Sequence, residues 1–328
     1  MTGYRSVART FLVVGVGLLM TTAPAMAQEA PQTSWGAPDL QGVWDFRTLT
    51  PLERPEDLGD KAFLTAEEAA NREQAAVDRN QELLLAPAER TEAGGNLGAY
   101  NNFWMDRGTT TVDSRRTSLI TAPPNGRIPQ VTDAGRERAR RVGSFNVEMP
   151  ESYTDLSNAD RCITGFNAGP PITPGGYNQN VQIFQTEDHV ALMTEMVHTV
   201  RVIPINGQPG LDDAVRQWSG DSRGHWEGDT LVVETENFLD HNVHSTWRGS
   251  STNMKLVERF SRLDADTLVY EFTVSDPATW ESSWTAQHEM KLNELPMFEY
   301  ACHEGNYSMP QMLGGARSIE AREAAGGQ

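Results

Sequence analysis

Beyond residue 175 the chain alternates apolar and polar positions in short runs, each broken by a turn signal. "NVQIFQT" and "VALMTEMV" flank Glu187-Asp188-His189, "TVRVIPI" ends at Asn206-Gly207, and "GHWE" and "TLVVETENF" flank Gly228-Asp229. Further on, "KLVERFSRL" and "TLVYEFTVSD" flank Asp264-Ala265-Asp266, and "WTAQHEMKLNE" and "PMFEYAC" flank Leu295-Pro296. A period of two is the pattern of strands with one buried face. Connections this short make neighbouring strands antiparallel, because a parallel return needs a crossover of about a dozen residues or more. The pattern predicts an up-and-down sheet.

The earlier part of the chain reads differently. "DLQGVWDF", Asp39 to Phe46, predicts a single strand. Thr65 followed by Glu68 is a capping-box pair, and the helix formers after it predict a helix over 65–84. Its apolar stripe is thin, mainly Ala69, Ala70, Ala76, Val77 and Leu84, which places it on the surface. "RTSLIT" predicts a short strand, and "TDAGRERARRV" a second short helix capped by Thr132. Tyr100, Phe103 and Trp104 are too many large rings for a solvated loop; they either plug the end of a core or line a pocket.

Some eight later strands and the first one suffice to close a barrel and hide its edges. Gly42-Val43-Trp44, opening the first strand ahead of a long meander, resembles the Gly-x-Trp start of lipocalin-like (calycin) barrels. The fold expected is mainly β: an antiparallel up-and-down barrel in a single domain spanning 28–328. Residues 47–175 form a helix- and loop-rich insertion after the first strand, where a lipocalin would run straight on. A wider resemblance rests on "YNNFWMDRG", "RTSLITAPPNGRIP", "GHWEGDTLVVETENF", "VERFSRLDADTLVYEFTVSDP" and "CHEGN". Together these are similar to a family of uncharacterised secreted bacterial proteins, a grouping that implies no mechanism.

Composition adds the compartment. Arg5 and Arg9 precede the apolar run from Phe11 to Met20, and "APAMA" ends at Ala27 with the small-x-small spacing of a cleavage site. The run is about half the roughly 20 residues of a spanning helix. Residues 1–27 are therefore expected to be a removed secretory signal, leaving no membrane anchor and a periplasmic or secreted protein. Loss of those two arginines takes the formal charge from -18 to -20. That excess of acid repels phosphate backbones and argues against nucleic acid as a partner. Cys162 and Cys302, 140 residues apart, are expected to form a disulfide in such a compartment. The rival reading, a Cys302–His303 catalytic pair, suffers because adjacent residues on a strand face opposite sides.

The candidate chemistry clusters in "DHNVH". Past Phe238 the alternation stops, so Asp240, His241 and His244 fall on a loop where both imidazoles are able to converge on one point. They are the expected acid–base groups. Zinc is a less favoured alternative needing a third ligand such as His198, His303 or Glu304. Glu258 shares a strand face with Leu256 and Phe260; facing inward, it is either a tuned general acid or half of an ion pair with an arginine. Trp104, Trp226, Trp247, Trp280 and Trp284 fall near strand ends, and flat rings at a mouth suit an apolar or aromatic ligand. Tyr270, on the inward face, is expected to contact the ligand with Trp104, Trp226 and Trp247, and Arg161, beside Cys162, to recognise an anionic substituent.

No Gly-x-Gly-x-x-Gly, phosphate loop, Gly-x-Ser-x-Gly or His-Glu-x-x-His motif occurs, so nucleotide cofactors and serine-hydrolase chemistry are not expected. The leading expectation is a cofactor-independent exported enzyme, a lyase, hydratase or isomerase acting by proton transfer on a small hydrophobic or aromatic molecule. A non-catalytic carrier of the same ligands is the alternative, and a metal-dependent hydrolase a third.

Overall fold

The computed structural model describes residues 30–86, 105–141, 149–239 and 250–326. Among these, the strands are β1 (Gly42–Asp45), β2 (Ile120–Ala122), β3 (Asn180–Gln185), β4 (His189–Thr194) and β5 (Val200–Pro204), then β6 (Asp221–Glu227), β7 (Thr230–Glu236), β8 (Lys255–Arg262), β9 (Thr267–Ser275) and β10 (Trp284–Asn293). Three α-helices accompany them: α1 (Ala66–Leu85), α2 (Asp133–Arg141) and α3 (Ser308–Ala324). The strands make one antiparallel sheet in the order β5-β4-β3-β1-β10-β9-β8-β7-β6, with β2 also pairing β10.

The mainly antiparallel sheet follows the alternation in the sequence. On β9, Leu268, Tyr270, Phe272 and Val274 are buried, and on β10 Trp284, Ala286, His288 and Met290 are buried, with the residues between them half-exposed. β1 lies between β3 and β10, Trp44 facing Val181 on one side and Leu292 on the other, so the earliest strand joins the two halves of the later meander. β1 takes the far part of the β10 edge, from Lys291 to Asn293, while β2 takes Thr285 and Ala286 near its start. The insertion thus contributes a strand as well as cover.

The sheet rolls up without closing. Hydrogen bonding stops between β5 and β6, where Pro204 has no N–H to donate. Side chains meet there instead: a Cβ added at Gly224 of β6 would lie 2.6 Å from a methyl of Ile205 and 3.2 Å from one of Ile203. The expectation of a closed barrel is corrected on this point. The roll is nonetheless deep enough for Arg201 on β5 to reach Glu258 on β8 across the interior.

A second correction concerns "PMFEYAC". Residues 297–302 form no strand, and Phe298 is 74% exposed. Both edges of β10 are already taken, by β1 and β2 on one side and β9 on the other, so the next segment finds no ladder to join. It passes to the disulfide and then to α3, a helix its weakly amphipathic sequence did not announce.

The capping box of α1 is formed, with Thr65 accepting from the Glu68 amide at 3.2 Å and Glu68 accepting from the Thr65 amide at 2.8 Å. Thr132 caps α2 through the Gly135 amide at 3.0 Å. Residues 38–40 are tied to Gln185 of β3, Trp44 of β1 and Arg262 of β8. The Gln185 side chain binds the Leu40 amide and the Pro38 carbonyl, Trp44 donates its indole N–H to the Leu40 carbonyl at 2.9 Å, and the Arg262 guanidinium lies 4.6 Å above the Trp44 ring.

Candidate functional site

The interior of the roll is filled with large side chains. Trp44, Phe46, Phe260, Tyr270, Phe272 and Trp284 are all essentially unexposed. Trp280 and Trp284 meet edge-on at 6.1 Å and Trp284 meets Phe272 at 5.6 Å, so these two tryptophans pack the core rather than line a mouth. Trp226 lies half-buried against the same core.

Within that core is a connected polar group. Arg201 donates to both oxygens of Glu258, at 2.7 and 2.9 Å. The Tyr270 hydroxyl donates to the same carboxylate at 2.7 Å and accepts from the Ile172 amide at 3.1 Å. Burial, then the Glu258 charge, pushes the Tyr270 phenol well above its ordinary value. Glu258 thus faces inward, as one of the two registers required, and of its two possible roles the ion pair is the arrangement present. His288 faces the same interior. It lies edge-on to Phe46 at 6.4 Å and Tyr270 at 5.5 Å, and neither ring nitrogen has a hydrogen-bond partner. Burial alone drives its pKa down to about 3, so the imidazole is neutral.

A different feature has the form of a ligand site. Cys162 and Cys302 are joined, with Cα atoms 5.7 Å apart, and around the bridge Ala168, Met196 and Val197 make a small apolar cluster separate from the main core. Beside it opens a crevice of about 440 Å³ whose walls include Phe166, Tyr177, Met196, Tyr300, the disulfide and Asn306. Phe166 and Tyr177 meet edge-on at 5.3 Å, which fixes one wall. The turn after β4 supplies another, and there Val197 and His198 both adopt positive φ, 58° and 40°. A β-branched residue in that region is strained, so the surroundings must hold the turn in place. One tie is visible: His198 Nδ1 lies 3.1 Å from the Tyr300 carbonyl, linking the turn to the segment that carries Cys302.

Arg161, expected to meet an anionic substituent, lies between the crevice-lining Asp160 and Cys162. Its guanidinium is over the Tyr153 ring at 5.1 Å and the Trp218 ring at 5.6 Å. Trp218 follows Gln217, whose amide donates to Asn237 and whose carbonyl accepts from Leu239. The chain entering the Asp240–His244 run is therefore held one residue away from the ring that stacks on Arg161. Asp240, His241, His244, Trp104 and Trp247 themselves lie outside the described residues. Among the described residues no three His, Cys, Asp or Glu side chains gather as a metal site.

Phe166, Tyr177, Met196 and Tyr300 were not anticipated as site residues. Phe166 and Tyr177 fall in segments without periodicity, while Met196 and Tyr300 belong to "VALMTEMV" and "PMFEYAC", which read as strands; the sequence signals near them are Cys162 and Cys302. A second opening, of about 650 Å³, lies between residues 30–38 and Asp229, Ser261 and Arg262. There Arg262 donates through Nε to the Asp39 carbonyl and through Nη1 to the Ala265 carbonyl.

The fold and site define a rolled antiparallel sheet with a packed interior and a disulfide-bounded crevice outside that core. No family model, curated protein or solved structure matches the chain. Among the described residues no helix is long and apolar enough to cross a membrane. The disulfide fits an oxidising environment, such as that met by exported proteins.

Proposed function

We propose that this is an exported, periplasmic or secreted protein that binds a small apolar or aromatic molecule in the crevice beside Cys162–Cys302, and that it acts as a carrier. The observation that carries this reading is the crevice itself. Its volume falls within the roughly 300–1,000 Å³ of small-molecule sites, and its walls combine rings and a methionine with a few polar groups. Two acids border it, Glu299 and Asp160, the latter accepting at one oxygen from the Ser157 amide and hydroxyl at 3.1 and 2.7 Å. The rings and the thioether suit retention of a flat apolar ligand.

A second reading, a lyase or isomerase using His241 or His244, is favoured by one observation: Leu239, the residue before Asp240, is hydrogen-bonded next to the aromatic clamp on Arg161. One experiment addresses both readings. A panel of small aromatic molecules is screened by thermal shift on the disulfide-intact protein, and bound compounds are recovered and identified by mass spectrometry. A ligand at 100 times its Kd stabilises by about 2.7 kcal/mol. The carrier reading expects saturable binding and unchanged ligand, with binding weakened by Phe166→Ala. Turnover lost in His244→Ala would establish the enzyme instead, and binding indifferent to Phe166 would remove the crevice from consideration.

A further inference from the structure

The walls of the crevice carry charge of one sign. Asp160 and Glu299 line it, and no Lys, Arg or His does. Asp160 receives the Ser157 amide and hydroxyl at Oδ2 alone, and no described residue donates to its Oδ1. Glu299 is exposed and makes no side-chain hydrogen bond or ion pair among the described residues. Arg161, the nearest arginine in sequence, lays its guanidinium on Tyr153 and Trp218, neither of which borders the crevice.

Two polar donors of the wall are spent locally. Asn306 gives its side-chain amide to the Asp160 carbonyl at 2.8 Å, and the Ser308 hydroxyl donates to Asn306 Oδ1 at 3.0 Å. An anion lodged here meets two carboxylates and no basic side chain. A cation meets the reverse, and ring surfaces add to it. The face of an aromatic ring is the negative part of its quadrupole and attracts an ammonium group, most strongly where water is displaced. Phe166, Tyr177 and Tyr300 supply three rings, the first two at 85° to one another as adjoining walls. Met196 adds a polarizable thioether, and a Cβ at Gly165 would lie 1.9 Å from its Cγ, so this side chain is packed directly on the backbone.

Resting on the crevice reading, we infer that the crevice selects an organic cation, a flat apolar molecule carrying an alkylated ammonium group. The rings and Met196 would take the apolar part and the alkyl groups, with Asp160 and Glu299 balancing the charge. The charge sought is opposite to the one Arg161 suggests from sequence.

The test is isothermal titration of the disulfide-intact protein with three probes sharing one ring system: (2-naphthylmethyl)trimethylammonium, 2-naphthalenemethanol and 2-naphthoate. The expected result is the cation binding at least about tenfold tighter than the alcohol, with naphthoate the weakest. A chain of net charge -18 attracts any cation to some degree, so variants localise the effect. Glu299→Gln, at an exposed position, should weaken the cation about two- to fivefold and leave the alcohol unchanged. Asp229→Asn removes an exposed acid at the other opening and should alter neither. Phe166→Leu should cost the cation more than the alcohol. Binding of the alcohol or of naphthoate as tight as that of the cation overturns the inference and leaves the crevice reading intact. A cation preference that Glu299→Gln does not move, or that Asp229→Asn reduces equally, does the same. Failure of all three probes to bind overturns the two together. The first comparison needs no variant, so the inference stays falsifiable even if Phe166→Leu does not fold.

Discussion

Arg201 and Glu258 meet across the interior of the roll through two parallel hydrogen bonds of 2.7 and 2.9 Å, although their strands lie far apart in the order of the sheet. Arg201 is 7% exposed and Glu258 is not exposed at all. Since β5 and β6 share no ladder, this pair ties the β5 edge to the other half of the sheet. Glu258→Gln should destabilise the protein by about 3–5 kcal/mol, because it strands a buried guanidinium. Replacing both partners, Arg201→Met with Glu258→Leu, should cost much less, since no lone charge remains. Urea unfolding midpoints of the two variants check this.

His288 makes stability depend on pH. Its folded pKa is lowered to about 3 from 6.5, so below pH 6.5 the unfolded chain binds a proton that the native state does not. Stability therefore falls as pH drops from about 6.5 towards 3, by up to about 1.4 kcal/mol per pH unit from this group. His288→Leu should flatten that part of the profile. Denaturant unfolding of both proteins between pH 4 and 7 measures the difference.

Loss of the disulfide should act on stability and on the crevice together. It closes a loop of 140 residues and holds the segment of Tyr300 against the turn of Met196. Cys162→Ser with Cys302→Ser is expected to cost about 2–5 kcal/mol. In the variant, any ligand of the crevice should lose most of its affinity even at temperatures where the sheet stays folded. Circular dichroism run beside a binding titration separates the two effects.

Gly224 marks the seam. A side chain there would press on Ile203 and Ile205, the residues that meet β6 where hydrogen bonding ends. Gly224→Val should destabilise by about 1–3 kcal/mol through overpacking, despite valine's preference for strands. A higher rather than lower melting temperature would show that the seam has room to spare.

The sequence by itself determined most of the strands, though not the absence of one at "PMFEYAC", their antiparallel pairing, the caps of α1 and α2, the disulfide, and the inward face of β9. These features rest on periodicity and on short-range chemistry, where each residue's partner is a few positions away or, for the cysteines, where only one partner exists. Tertiary structure alone decided whether the roll closes, which arginine Glu258 meets, and where a ligand could lodge. Arg201 and Glu258 are 57 residues apart, and alternation, which turns Arg259 to the opposite face, does not say which distant arginine meets the carboxylate. The crevice likewise draws Phe166, Met196 and Tyr300 from three separate turns, which acquire a common surface only when the disulfide and the sheet's curvature bring them together.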